Sequence, residues 1–434
     1  MKTIAIALSV LLVSIAGAFE SVLEREPTRY SESEASTPLT EIADRIAKGE
    51  ELLSAKTDRG VLLQLLDLLE IPVESQMLVY SKTSAQNSRI SPETPRAVYF
   101  SENAYVGWVQ GGEIEVITFD EKLGAVFHMV HLSNREDAKP PEIVRDRSCL
   151  DCHAGSATGG FPGPVVRSVY PTETGQPLFH AGTFRTDDTS PIAERWGGWY
   201  VTGSSGKQEH LGNIVATEAG RRDFTVEKIE SSPIDDLEAH IECDPYPAGG
   251  ASDIVALMVF EHQVRVHNAL VQANLTARQT LHRHAQMREL FGDPADAPLS
   301  ETNRRILENQ AGKVVEALLF KDEFFMDGDG VDGSLDFQLA FEKDARKNRD
   351  QRSLKDFRLY ERLFKYRCSY VIYSDVFDHL PGKLKSIVLK RLEGILTDPG
   401  AWPEYDYLGS SERKRILGIL RETLPAWPKN VAEK

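Results

Sequence analysis

The spacing of hydrophobic and polar positions changes twice along the chain, from helical to strand-like and later back to helical. Residues 42–53 and 61–71 carry apolar side chains at helical spacing; Thr40 is the predicted cap of the first helix, and Pro72 ends the second. Four short runs rich in β-branched and aromatic residues follow, separated by turn residues. These runs span 97–100, 104–109, 113–120 and 124–132. They predict a small antiparallel sheet.

A glycine-rich stretch from 155 to 213 separates this sheet from a helical half. Glycine occupies 11 of its 59 positions, against 31 of 434 in the whole chain, which indicates irregular structure. Helical periodicity then dominates at 253–291, 301–320, 353–378, 383–397 and 411–422. The pattern predicts an α+β protein, with an α+β domain at 41–245 followed by an all-helical domain at 246–434.

The charge balance narrows the partners that this chain can have. It carries 50 Lys and Arg against 66 Asp and Glu, a net charge of -16. Nucleic acids and anionic membranes attract clustered positive charge, so neither is expected as a main partner. Only four cysteines are present, which excludes a disulfide-dense scaffold.

The first forty residues predict export. Lys2 precedes an apolar run at 4–15, and Ala16-Gly17-Ala18 has the small-x-small form of a cleavage site. The run is shorter than the roughly 20 residues of a membrane-spanning helix. We therefore expect a signal peptide at 1–18, a periplasmic or cell-envelope location and no membrane span in the mature chain; an uncleaved anchor is the alternative. Residues 19–40 are polar and predict a linker.

The strongest chemical signal is the run Cys149-Leu150-Asp151-Cys152-His153, which has the form CxxCH. Two thiols three positions apart lie on one face of a helical turn, where their sulfurs can add to the two vinyl groups of one haem. His153 is then placed to bind the iron as the proximal ligand. A redox-active or zinc-binding CxxC is the competing interpretation, but Cys243 and Cys368 supply no second ligand pair at zinc spacing.

The CxxCH run resembles the c-type cytochromes. Together with SCLDCHAGSATGGFPGP at 148–164 and RWGGWYVTG at 195–203, it is similar to exported bacterial single-haem cytochromes of undefined function. The resemblance implies one covalent haem c, bound through Cys149, Cys152 and His153. It also implies that the glycine-rich segment wraps the haem and that a redox partner protein exchanges electrons with it.

The second axial ligand of the iron is open from sequence. His262 lies on the apolar face of the helix at 253–291, and His210 ends the glycine-rich stretch; they are the two alternative candidates, ahead of Met258 and His180. His128 and His131 are three apart on a predicted strand, so they point to opposite faces and cannot share one metal.

Other features leave two interpretations each. Arg185 and Arg195 can pair with haem propionates or with Asp187, Asp188 or Glu194. Cys243 and Cys368 can form a disulfide or stay free. The run DGDGVDG at 327–333 suggests calcium, but Asp332 and Gln338 stand where an EF-hand loop has Gly and Glu, so an acidic turn is expected.

Three classes of function agree with these features. The first is an electron-transfer cytochrome with a six-coordinate haem. The second is a haem enzyme with an open distal site, either peroxidase-like or acting on small nitrogen compounds; a chain of 434 residues for one haem favours it. The third is a haem-based sensor of redox state or of a gas. No Ser-His-Asp arrangement or nucleotide-binding motif is recognisable in the sequence.

Overall fold

Six antiparallel strands form a meander in which each strand pairs with the next along the chain. The computed structural model describes residues 22–132, 139–220, 223–230, 232–294, 296–326 and 329–427, so the predicted signal peptide at 1–18 lies outside the described residues. The strands are β1 (Met77–Val79), β2 (Arg96–Phe100), β3 (Tyr105–Trp108), β4 (Ile114–Asp120), β5 (Gly124–His131) and β6 (Glu142–Arg145). The four predicted strands are present, and β1 and β6 are two further strands at the edges.

Each face of the sheet is covered by helices. Helices α1 (Pro38–Ala47) and α2 (Asp58–Leu68) pack on one face, against Leu78, Tyr99 and Trp108. The opposite face packs against a long helix, α4 (Ile254–Phe291), through Phe100, Tyr105 and Phe119. A sheet followed by helices is the arrangement that the sequence predicted, and the α+β class is confirmed.

Helix α4 joins the two predicted domains through one core. Asp253 caps its start, and Gly292, with a φ of 70°, ends it. Two hydrogen bonds join it to the sheet region. His267 Nδ1 lies 2.7 Å from the Tyr105 hydroxyl on β3, and Asn274 Nδ2 donates a hydrogen bond of 2.8 Å to the carbonyl oxygen of Glu121. Buried residues before and after position 245 belong to one cluster, so the described parts of the two predicted domains share a hydrophobic core.

The later helices pack on α4 either directly or through one another. In the described residues they are α5 (Glu301–Leu318), α6 (Leu335–Glu342), α7 (Asp375–Asp378), α8 (Gly382–Thr397) and α9 (Ser410–Thr423). The helix predicted at 353–378 is largely wrong: turns precede a 3₁₀ turn at Tyr370–Tyr373 and the short α7. Most of its apolar residues are buried in irregular structure. There Phe357 and Phe364 pair through an isolated antiparallel β-bridge.

Residues 22–36 are packed rather than extended as a linker. The Tyr30 side chain is 1% exposed, and its hydroxyl donates 2.8 Å to the carbonyl of Ala125 in β5. Arg145 in β6 donates to the carbonyls of Tyr30 and Ser33, at 2.8 and 2.7 Å. Thr37, not Thr40, caps α1, and Thr40 completes the capping box three residues later. A polar sequence can pack when a few anchoring side chains find partners elsewhere in the chain.

Short strand pairs and turns complete the glycine-rich region. The pairs are β7 (Arg167–Val169) with β8 (Thr183–Arg185), and β9 (Ile214–Glu218) with β10 (Phe224–Lys228). Part of the acidic run at 327–333 lies outside the described residues, and its Asp332 pairs with Ser204 through backbone hydrogen bonds. Across the described ranges, no helix is both long enough and apolar enough to cross a membrane.

Candidate functional site

The CxxCH run forms a single helical turn directly after the edge strand β6. A 3₁₀ turn at Arg147–Cys149 leads into α3 (Leu150–His153), and the carboxylate of Asp146 accepts from the Ser148 amide at 2.9 Å to cap the turn. Cys149 is half-buried and packs against the core, whereas Cys152 is exposed. One thiol therefore lies against the core and the other faces solvent.

The ring of His153 is fixed by two contacts. Its Nδ1 donates to the carbonyl oxygen of Gly163 at 2.9 Å, since a carbonyl can only accept. Its ring centroid lies 5.0 Å from that of Phe127 in β5. Burial lowers the pKa of His153, so the ring is neutral at pH 7. With the proton on Nδ1, Nε2 carries the lone pair that a metal needs.

Further hydrogen bonds in the loop after His153 hold the Gly163 carbonyl in position. The amide of Gly163 donates 2.9 Å to the carbonyl of His153, and the Thr158 hydroxyl donates to the same oxygen at 3.1 Å. A Cβ at Gly163 would overlap the amide oxygen of Asn268 on α4, so a larger residue here requires the Asn268 side chain to move. The sequence offered no signal for this role of Gly163, because it depends on α4.

The Cys149 thiol does not have the environment of a redox or zinc site. Burial raises the pKa of Cys149 to about 12, while reactive and metal-binding cysteines require a thiolate. Among the described residues, no group of three or more His, Cys, Asp or Glu side chains is arranged to hold a metal ion. A covalent haem, whose iron needs only one or two axial protein ligands, has no such requirement.

The loop that follows the CxxCH run, residues 154–166, is called the motif loop below. A cleft of about 440 Å³ lies beside it. The loop segments 156–159 and 164–166 form one side, and α4 and α5 form the other. The charged residues that line it are Arg185, Asp187, Arg265, Lys313 and Glu316. Arg185 is exposed and donates to the carbonyls of Ser156 and Ala157, so its guanidinium lies at the motif loop. That position is compatible with the predicted role at a haem propionate.

Arg195 belongs to the interior instead. It is 2% exposed and pairs with the buried Glu261 at 3.2 Å, and it also donates to the carbonyls of Asp188 and Ser190. Its partners are therefore Glu261 and backbone carbonyls, and not the carboxylates of Asp187, Asp188 and Glu194. Burial raises the pKa of Glu261 to about 7, although the Arg195 charge opposes the shift.

His262, the first candidate for the distal ligand, has both ring nitrogens in hydrogen bonds. Nδ1 donates to the Asp188 carboxylate at 3.0 Å, and Nε2 accepts from the Ser369 hydroxyl at 2.8 Å. The ring is fully buried and stacks on Phe320 with 3.8 Å between centroids. Burial lowers the pKa of His262 despite the neighbouring Asp188. In this arrangement His262 has no nitrogen free to bind iron.

Ser369, His262 and Asp188 share the connectivity of a hydrolase triad, which was not recognisable in the sequence. All three are buried, and Ser369 caps a 3₁₀ turn. Burial would raise the pKa of Asp188, but Arg265, at 3.0 Å, and His262 outweigh it and lower that pKa. A nucleophile must reach its substrate, so this network is structural.

His210, the second candidate, is held in the wrong tautomer for a ligand. Its Nδ1 accepts from the Gly212 amide at 2.9 Å, which leaves the proton of the neutral ring on Nε2. The ring packs edge-on against Trp196, with centroids 5.2 Å apart. Burial lowers the pKa of His210 to about 3. In this arrangement neither histidine offers a free basic nitrogen.

The remaining candidates are also dispersed. Met258 is buried in the core around α4, and His180 lies on the exposed side of the glycine-rich region, 3.9 Å from Glu218. His128 is buried, and His131, three residues later, is partly exposed beside Glu113. Among the described residues, no hydrogen bond, ion pair or ring contact links any of these four to His153.

The two other cysteines are free. Cys368 is fully buried in the core around α4, whereas Cys243 packs against the separate core beneath α1 and α2. The disulfide considered from sequence is therefore absent.

Comparison with protein-family models, with curated proteins and with solved structures finds no significant match.

Proposed function

We propose that this protein is an exported c-type cytochrome that carries one haem on Cys149 and Cys152 and transfers electrons through it. The observation that carries the proposal is the hydrogen bond from His153 Nδ1 to the Gly163 carbonyl. A hydrogen-bond acceptor on the ring nitrogen that does not bind the metal selects the tautomer of a metal-binding histidine and orients its ring. His153 would hold the iron from one side, and the haem would supply a one-electron couple.

The exposure of the motif supports electron exchange with a partner protein. Cys152 lies at the surface, so the haem edge that bears the thioether bonds would lie near solvent. A redox partner needs only to approach that edge. The partner would be a protein that docks on this chain near α3. The predicted leader would put their encounter in the periplasm or cell envelope.

Haem attachment is tested by expressing the chain with a cytochrome c maturation system. The wild type should retain one haem per chain on a denaturing gel, and a pyridine haemochrome spectrum should identify haem c. Cys149→Ala with Cys152→Ala should lose the haem stain, while Cys243→Ala should keep it. A stained band in the double variant, or none in the wild type, would refute the proposal.

A second candidate is a haem enzyme or sensor with an open distal position. Two observations favour it: both ring nitrogens of His262 and the Nδ1 of His210 are in hydrogen bonds, and a cleft of about 440 Å³ lies beside the motif loop. A small polar molecule would fit such a cleft, and no protein ligand would have to leave the iron before that molecule bound.

The spin state of the oxidised iron distinguishes the two candidates. A carrier with a protein-held sixth ligand should show a low-spin ferric spectrum and should not bind carbon monoxide when reduced. A high-spin ferric spectrum with ready carbon monoxide binding would replace the carrier by the enzyme or sensor. Both outcomes presuppose that the haem is attached, so this test is separate from the first.

A further inference from the structure

A second and larger cleft lies between the two halves of the fold. It encloses about 1460 Å³ and shares no lining residue with the cleft beside the motif loop. One wall is the end of α2 with the 3₁₀ turn at Val73–Ser75, and the opposite wall is α6. Pockets for small molecules usually enclose about 300–1,000 Å³, so this cleft has room for a larger ligand.

The floor of this cleft is apolar. Buried aromatic and aliphatic side chains form it: Leu69, Ile71, Phe100, Phe337 and Phe341. Leu339 of α6 lines the cleft and is 60% exposed; Leu335, one turn earlier on the same helix but outside the lining, is 65% exposed. Exposed leucines beside an apolar floor are typical of a surface that another molecule covers.

The rim is strongly acidic. Eight carboxylates line the cleft: Asp67, Glu70, Glu74, Glu102, Asp253, Asp336, Asp344 and Asp375. Three cationic residues accompany them, Lys343, Arg346 and Lys355, which leaves a formal charge of 3 − 8 = −5. Lys355 is already paired with Glu102 at 2.7 Å, and Arg346 lies 4.7 Å from the ring centre of Tyr373.

Most of these carboxylates have no cation of their own. Asp253 is used to cap α4 and to accept from the Ser334 amide. Of the other seven, only Glu102 forms an ion pair within the described part of the chain. Six carboxylates around one opening repel each other, and a bound polycation would relieve that repulsion.

We propose that this cleft binds a basic, partly apolar polypeptide segment of a partner protein. Charge complementarity selects lysine or arginine side chains at the rim, and the apolar floor with Leu339 selects aliphatic side chains between them. The volume of the cleft accommodates several residues of such a segment. This binding is independent of the haem.

A fluorescent peptide of twelve alternating Lys and Leu residues, titrated with haem-loaded protein and followed by anisotropy, tests the proposal. Asp336→Asn with Asp344→Asn should raise the Kd at least about fivefold, because two attractive charges are lost. Asp293→Asn with Asp296→Asn removes the same charge from exposed positions outside the cleft and should leave the Kd unchanged. Likewise Leu339→Ser should weaken binding, whereas Leu290→Ser, at an exposed leucine of α4, should not.

Peptides of the same length separate the two components of recognition. A Glu/Leu peptide should not bind, and a Lys/Ser peptide should bind at least about fivefold more weakly than the Lys/Leu peptide. The proposal would be overturned if the Lys/Leu peptide did not bind. It would also be overturned by an equal loss of affinity in both double variants, because that would show attraction to net charge alone. Equal binding of the Lys/Ser peptide would remove the apolar component, and tighter, cleft-dependent binding of spermine would indicate a small polycation.

Discussion

The Nδ1 atom of His153 donates to the carbonyl oxygen of Gly163 at 2.9 Å, ten residues farther along the chain. The bond closes the loop that follows the two cysteines and sets which ring nitrogen is free. Because Gly163 also lies against Asn268 of α4, the orientation of this ring depends on the packing of the long helix.

Gly163→Ala should destabilise the protein and disturb the His153 ring. The new methyl group would overlap the Asn268 side chain, and overpacking of this kind costs about 1–3 kcal/mol. Urea unfolding measures the cost and, in the haem-bound protein that we propose, the haem absorption spectrum reports on the ring. Adding Asn268→Ala should recover part of the loss. Gly155→Ala, in the same loop with its nearest neighbour atom at 3.8 Å, should stay within about 0.5 kcal/mol of the wild type.

His262→Ala should lower the free energy of unfolding and, in the haem-bound protein that we propose, leave the spin state of the iron unchanged. Removing the ring takes one hydrogen-bond partner from Ser369 and one from Asp188, which keeps Arg265, and it opens a cavity beside Phe320; the cost should be about 2–4 kcal/mol. Urea unfolding and the ferric absorption spectrum are the two measurements. Conversion of a low-spin wild type to a high-spin variant would instead identify His262 as an iron ligand.

His210 should make the protein lose stability as the pH falls. Its pKa is about 6.5 in the unfolded chain and about 3 in the folded protein, because burial disfavours the charged ring. Below pH 6.5 the unfolded state therefore binds a proton that the folded state does not. Relative to His210→Gln, the wild type should lose up to about 1.4 kcal/mol per pH unit between pH 6.5 and 3. Unfolding curves at several pH values measure this; parallel pH dependence in both proteins would contradict it.

Cys243 and Cys368 should differ in reactivity although both are free. Cys368 is fully buried, and burial raises the pKa of its thiol to about 12, so iodoacetamide should not label it in the native protein. Cys243 is half-buried and should be labelled slowly. In unreduced, denatured protein both should be labelled, as mass spectrometry would show. Failure to label either after denaturation would indicate a disulfide.

Tyr30→Phe should destabilise the protein by about 0.5–1.5 kcal/mol, because the Ala125 carbonyl loses its partner within the core. Tyr360→Phe, at a tyrosine that is 51% exposed, is the matched control and should have almost no effect. Thermal or urea unfolding compares the two variants. Equal stability of Tyr30→Phe and the wild type would indicate that residues 22–36 add little to the fold.

The local features of this protein could be predicted from its sequence. Helical periodicity in α4, α5 and α8 and the four central strands depend on neighbouring residues, so the pattern of apolar positions was sufficient. The CxxCH run is likewise local, since its proposed chemistry needs five consecutive residues. The edge strands β1 and β6 are three and four residues long and carry too little pattern to be recognised.

Only the tertiary structure decided which buried polar groups meet. Arg195 and Glu261 are 66 positions apart, and Asp188 and Ser369 approach His262 from 74 and 107 positions away. A histidine on an apolar helix face has the same sequence pattern whether it binds iron or a buried carboxylate. The outcome depends on which partners the folded chain brings to it, because a buried polar group must be satisfied by whatever lies within hydrogen-bonding distance.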